Sequence, residues 1–189
     1  LQGHGGRIVS NGELQLKGET LDLSAGTTAA QQVSVEAGQL DNTGGTLNAT
    51  GHQTMALQVR GALGNDGGTI AANGAQQISA GSLSNVGGTL SSAGTTDTRI
   101  NVAGRFDNSR GTLASNAGNL RLDAVQLLNV AGSIVHAGKG TLTIQANQLD
   151  GAGGSIATAG ALQLDAVTVD HRGATLSADH FNIDSDRFD

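Results

Sequence analysis

LDNTGGTL, residues 40–47, is the stretch on which the fold turns. It opens on an apolar residue and places Asn42 two positions later. A glycine pair, a hydroxyl side chain and a second apolar residue, Leu47, follow. The same grammar returns as LGNDGGTI from Leu63, LSNVGGTL from Leu83 and FDNSRGTL from Phe106. LLNVAGSI from Leu127 and LDGAGGSI from Leu149 continue it. VDHRGATL from Val169, LDLSAGTT from Leu21 and LQGHGGRI from Leu1 are weaker copies. Nine units thus start at residues 1, 21, 40, 63, 83, 106, 127, 149 and 169, a mean spacing of 21. A further unit opens at Phe188-Asp189, matching Phe106-Asp107. The chain is therefore expected to be one segment, residues 1–189, cut from a longer array, with any targeting signal outside it.

Each block leads, after a gap of variable length, to an alternating apolar pair. The pairs are Leu14/Leu16, Val33/Val35, Leu57/Val59, Ile78/Ala80, Ile100/Val102, Leu120/Leu122, Leu142/Ile144, Leu162/Leu164 and Phe181/Ile183. Alternation at period two is a strand signature. A unit of this length holds two or three short strands and no helix, and cannot bury its apolar face alone. Stacking unit on unit buries it continuously. A propeller blade needs about 40–45 residues, and the leucine-rich consensus is missing. The expected fold is all-β, a parallel β-helix of nine coils. It is right-handed by the rule for parallel crossovers. At ~4.8 Å per coil the rod is roughly 43 Å long. Length varies mainly between the two apolar blocks, so that corner is expected to bulge outward. Four inward slots per coil are expected, and all three phenylalanines are assigned to the core.

Composition narrows the chemistry. Glycine supplies 30 of 189 residues, while proline, cysteine, tryptophan and tryptophan's partner in base stacking, tyrosine, are absent, leaving three phenylalanines as the only aromatics. Disulfides, thiolate metal sites and aromatic stacking platforms are excluded or disfavoured. A formal charge of −6 argues against a nucleic-acid partner. No apolar run is long enough to span a bilayer.

Candidate sites are few. Asn42, Asn65, Asn85, Asn108 and Asn129 share one slot in five consecutive coils, and are expected to form a structural ladder inside the rod. Outward arginines Arg60, Arg99 and Arg121, with Arg105 and Arg110 nearby, are a candidate partner surface, set against ordinary solubilising charge. Residues 165–189 hold six aspartates against two arginines, giving the rod an acidic end. Some β-helices cleave polysaccharides with clustered carboxylates, and the nearest equivalent here is Asp165, Asp170, Asp179, Asp184 and Asp186 with Arg172. That cluster lies in unbroken repeats without cleft-forming loops, so it reads as solvated surface and the chain as no enzyme. The histidines His4, His52, His136, His171 and His180 do not repeat in position, so they read as scattered surface residues, and no metal site or cofactor is expected.

With these residues in view, LDNTGGTL, LSNVGGTL and FDNSRGTL, each followed by a small residue, a glycine and a strand of alternating apolar residues, resemble filamentous-haemagglutinin repeats. Those repeats occur in large Gram-negative exoproteins secreted by the two-partner route, among them adhesins, haemolysins and effectors of contact-dependent growth inhibition. The resemblance implies a right-handed parallel β-helix acting as a stalk at the bacterial outer-membrane surface or outside the cell. It further implies passage through an outer-membrane two-partner transporter, and a receptor on a target cell contacted by the parent protein. The alternative is that this segment's own flank binds the receptor or a glycan. The lack of cysteine suits a chain threaded unfolded through a pore.

Overall fold

The structure, a computed structural model, describes residues 1–189. It contains nineteen strands and no helix. The odd-numbered strands to β17 are short: β1 (Arg7–Val9), β3 (Thr27–Ala30), β5 (Thr46–Ala49), β7 (Thr69–Ala72), β9 (Thr89–Ser92), β11 (Thr112–Ser115), β13 (Ser133–His136), β15 (Ser155–Thr158) and β17 (Thr175–Ser177). They pair in that order into one nine-stranded sheet. The others are mostly nine or ten residues long: β2 (Glu13–Asp22), β4 (Gln32–Asp41), β6 (Met55–Gly64), β8 (Gln76–Ser84), β10 (Thr98–Asp107), β12 (Leu120–Leu128), β14 (Thr141–Asp150), β16 (Ala161–Asp170) and β18 (His180–Asp184). These form the second sheet, with β19 (Arg187–Phe188) beside β16. Every pairing is parallel and joins matching positions of successive units. The chain is a parallel β-helix of nine coils averaging 21 residues.

The corner from short to long strand takes up the length variation. It is Gln31 alone in the second coil and residues 50–54 in the third. A smaller adjustment sits within the long strands, which bend midway. β6 and β10 carry one residue more at the bend than β8 and β12, and the register shifts there, between Val59 and Ala62 and between Val102 and Arg105. The insertion is absorbed as a β-bulge without disturbing the columns on either side.

The interior has more slots than the expected four. Before the bend, three inward columns, not two, run up the long-strand sheet, and the buried openers, such as Leu40, Leu63 and Leu83, form a further column beyond it. One passes through Val33, Met55, Gln76, Thr98, Leu120 and Leu142. The next holds Val35, Leu57, Ile78, Ile100, Leu122 and Ile144, and the third holds Ala37, Val59, Ala80, Val102, Ala124 and Ala146. The pairs Leu57/Val59, Ile78/Ala80 and Ile100/Val102 therefore lie one column over from Leu120/Leu122. Polar Gln76 and Thr98 in the first column break the apolar alternation, so the two most apolar positions of those coils are not the equivalent ones. A second correction concerns phenylalanine. Phe106 is buried, but Phe181, on the ninth coil, and Phe188, which stacks on that coil's opener Val169, are 50% and 44% exposed.

The glycine pair closes the tightest corner, and its two members are required for different reasons. The first, as in Gly44, Gly67 and Gly87, has φ near +60°. Ala25, Arg110 and Ala131 take the same conformation at this slot, so other residues are tolerated at a cost. The second glycine donates its N–H back to the asparagine carbonyl, as Gly88 does to Asn85 at 3.1 Å. Its α-carbon faces the coil below. A Cβ on Gly45 would stand 2.6 Å from Leu23 O, and one on Gly88 would be closer still to Asn65 O. Eight of nine coils keep glycine here, and the last has Ala174.

Gly88→Ala should accordingly destabilise far more than Gly87→Ala. The first forces two coils apart, at the upper end of overpacking costs, on the order of 3 kcal/mol. The second incurs only the left-handed penalty of ~1 kcal/mol. Chemical denaturation of the two variants measures the difference, and equal losses would contradict this account of the corner.

Candidate functional site

The asparagine slot follows directly from that corner, because the turn between opener and glycine pair aims the side chain inward. Asn42, Asn65, Asn85, Asn108 and Asn129 are all fully buried. Each Nδ2 donates to the Oδ1 of the next asparagine: 2.7 Å from Asn42 to Asn65, from Asn65 to Asn85 and from Asn85 to Asn108, and 2.8 Å from Asn108 to Asn129. The same nitrogen faces two carbonyls. For Asn85 these are Gly88 O in its own turn and Thr112 O in the next coil, both at 3.3 Å. Three acceptors for two hydrogens make one bond shared. The ladder starts abruptly, since the preceding coil has Leu23 in the slot, and Asn42 Oδ1 is buried without a partner. At the far end Gly151 occupies the slot, and Asn129 turns to Ser155 O at 3.0 Å.

Outside the ladder runs a row that sequence reasoning passed over. Asp22, Asp41, Asp107, Asp150 and Asp170 stand one residue after their openers, and each accepts the backbone N–H two residues on, at 2.9–3.2 Å. These are Asx turns. Their signal was present as a recurring aspartate before the asparagine slot. In the fourth and fifth coils Gly64 and Ser84 take that place, and Asp66 reaches across instead to Val86 N at 2.9 Å and Ser84 Oγ at 2.5 Å. At Asp22, Asp107 and Asp170 the carboxyl is depressed. The Ser24 hydroxyl holds Asp22 below the ordinary value. Burial pushes Asp107 up, but the Ser109 hydroxyl and amide, with Arg105, bring it below. The Arg172 guanidinium and amide bring Asp170 down to about 2.

The arginines do not form a common patch. Arg99 and Arg121 are register partners on the outer face of the long-strand sheet. Arg60 lies at the bend and pairs with Glu19 at 2.6 Å. Arg105 pairs with Asp107, and Arg121 with Asp123 at 2.7 Å. Arg121 also donates to Gln145. Of the four, Arg99 alone takes part in no ion pair.

The C-terminal carboxylates are spread over the surface. Asp165 and Asp184 are register partners on the long-strand sheet, Asp170 is held by Arg172, and Asp179 lies 3.1 Å from His180. No group of three or more histidine and acidic side chains is placed to hold a metal ion. No helix is long and apolar enough to cross a membrane.

His136 is not a surface residue, contrary to the sequence reading. It is 1% exposed, on the inward column that holds Ser92, Ser115 and Thr158 in neighbouring coils. Nε2–H donates to Ala117 O at 2.9 Å, which fixes the tautomer, and Nδ1 meets Thr158 Oγ1 at 2.9 Å. Ser92 and Ser115 share a hydrogen bond of 2.8 Å, and Thr98 donates to Ser92 at 3.2 Å. A buried polar seam therefore crosses the otherwise apolar core. The polar residue at a small-residue slot was its only sequence signal.

Position in the ladder sets the cost of breaking it. Asn85→Leu leaves Asn108 Oδ1 buried without its donor, while Asn65 Nδ2 keeps its two carbonyl acceptors, and should destabilise by ~1–3 kcal/mol. Asn42→Leu leaves Asn65 Oδ1 without its donor but also removes the unpaired Asn42 Oδ1, and should cost about 1 kcal/mol less. Paired urea melts test this ranking, and a reversed order would count against it. At the surface, Asp170 titrates at about 2 when folded against an ordinary 3.8. A depressed carboxyl stabilises the fold above pH 3.8, and that contribution is lost as pH falls toward 2. Asp170→Asn should therefore flatten the fall of Tm between pH 4 and 2. A variant that tracks the wild type through that window would contradict the assignment.

The haemagglutinin repeat family matches residues 1–54, 54–110 and 107–180, nearly the whole chain. No curated protein and no solved structure matches it. With its 21-residue coils, an inward asparagine in five consecutive ones and the second corner glycine in eight of nine, the chain belongs to the haemagglutinin repeat family.

Proposed function

We propose that the chain is a structural stalk or spacer in a longer array of coils, within a filamentous exoprotein of a Gram-negative bacterium, secreted or displayed on the cell surface. The carrying observation is continuity. Nine coils stack with matched columns, and length differences are confined to one corner and to single-residue bulges at the bend. Such an object transmits distance and stiffness, and no long loop interrupts it to build a cleft. The family supports an adhesin-type parent. Toxin delivery in growth inhibition, or haemolysis, belongs on this reading to other modules of that parent. Export through a two-partner outer-membrane transporter is in keeping with a chain free of cysteine. The uncovered apolar columns at Phe181 and Ile183, 50% and 38% exposed, support further coils stacking there.

A second reading, a binding flank for a receptor or glycan, rests on one observation, the adjacency of Arg99, free of ion pairs, and Arg121. Removing one coil separates the two. Deleting Leu83–Arg105 joins Ser82 to Phe106, and Phe106 is already the register partner of Leu83. The rod should fold and shorten by ~4.8 Å. Deleting only Leu83–Ser92 removes one inward block and should prevent folding. In the full-length protein, target attachment should survive the whole-coil deletion. Loss of attachment there, together with its loss in a folded Arg99→Ala/Arg121→Ala variant, would replace the spacer with the binding flank.

A further inference from the structure

The two sheets have outer faces of different character. The long-strand sheet displays charge, including Lys17, Glu36, Arg99, Arg121, Asp123 and Asp165. The short-strand sheet displays none from the second coil to the ninth. One of its two outward columns is threonine in six coils and serine in two, running from Thr27 to Thr175. The other is alanine, serine, asparagine or valine, from Ala29 to Ser177. The strands pair here without a single register shift, unlike those opposite. Val135, 38% exposed, and the threonine methyls add apolar surface. In a chain with 26 Lys, Arg, Asp and Glu residues, a face this long without charge can be covered with no ion to desolvate, provided its hydroxyls find hydrogen-bond partners across the contact.

We infer that this face is a lateral docking surface for a second copy of the same chain, pairing rods side by side. It goes beyond the stalk reading, since a spacer needs no partner. A second copy is the fitting occupant because its face repeats at the same ~4.8 Å. Two such lattices stay in step along their whole length, where a surface of another period drifts out of contact. Size agrees. Eight strands ~4.8 Å apart, all four residues long except the three-residue β17, at ~3.3 Å per residue give about 500 Å² per partner, or about 1,000 Å² in total. That is the lower bound for a specific interface, so this segment alone associates weakly, and the area grows with every added coil. The net charge of −6 lies on the other faces, where salt screens the repulsion between rods.

Sedimentation velocity of the chain, from low to high concentration, is the test. The wild type should show reversible self-association, stronger at 0.5 M than at 0.05 M sodium chloride. Thr89→Lys/Thr112→Lys places two cations in the middle of the face and should weaken association by about tenfold or more, with an unchanged circular dichroism spectrum. Should that variant not fold, Ala71→Lys/Ala114→Lys makes the same change in the neighbouring column. Gln77→Lys/Gln163→Lys adds equal charge to the opposite sheet and should associate as the wild type does. A wild type that stays monomeric at high salt and millimolar concentration overturns the inference. So does association that the face variants leave intact, which is end-to-end stacking, or that the opposite-sheet variant weakens equally.

Discussion

The distance between stacked coils, ~4.8 Å wherever parallel strands pair, is the constraint from which the other features follow. It leaves no room for a side chain where the second corner glycine crosses the coil below, with the asparagine carbonyl of that coil in the way. It also brings equivalent side chains within hydrogen-bonding reach. An amide is suited to this, because it donates at one end and accepts at the other, so each ladder member satisfies its neighbours on both sides. Asparagine and glycine are two consequences of one separation, which is why they travel together through the coils from Leu40 to Gly132.

The outer aspartates answer the same corner from the solvent side. The turn leaves backbone N–H groups unpaired within the coil, and a carboxylate one residue after the opener accepts one of them. In the coil where Ser84 stands in that place, Asp66 of the preceding coil accepts the Val86 N–H instead, so there the bond has moved to another residue.

Fold class and coil boundaries were legible because both depend on the same few residues recurring at a fixed period. LSNVGGTL announces a buried opener, a corner and a strand without knowledge of any contact. Register within the long strands was less legible. Gln76 and Thr98 hide an inward column from a reading that looks for apolar alternation, although both side chains are buried. The asparagines could be assigned to one slot from spacing alone, but not the shared third acceptor or the unpaired oxygen of Asn42, which depend on the adjoining coil. His136 was misplaced for the same reason. Its environment is supplied by Ala117 and Thr158, some twenty residues away on either side, and no local pattern reports them.

That buried polar seam bears on a hazard inherent in repetition. Near-identical coils can in principle pair with the wrong neighbour, since a slip by one whole coil keeps every apolar column apolar. It does not keep the seam. His136 finds a hydroxyl at Thr158, but in the following coil its column reaches Ala178, and there Nδ1 would have no donor. Ser92 similarly meets Ser115 on one side and Ala72 on the other. Buried polar groups left unpaired cost about 1–3 kcal/mol each, whereas apolar contacts exchanged between similar coils cost little. The polar departures from the repeat are therefore where the chain distinguishes one coil from the next. A perfectly regular array would stack as well, but it would hold its register less firmly.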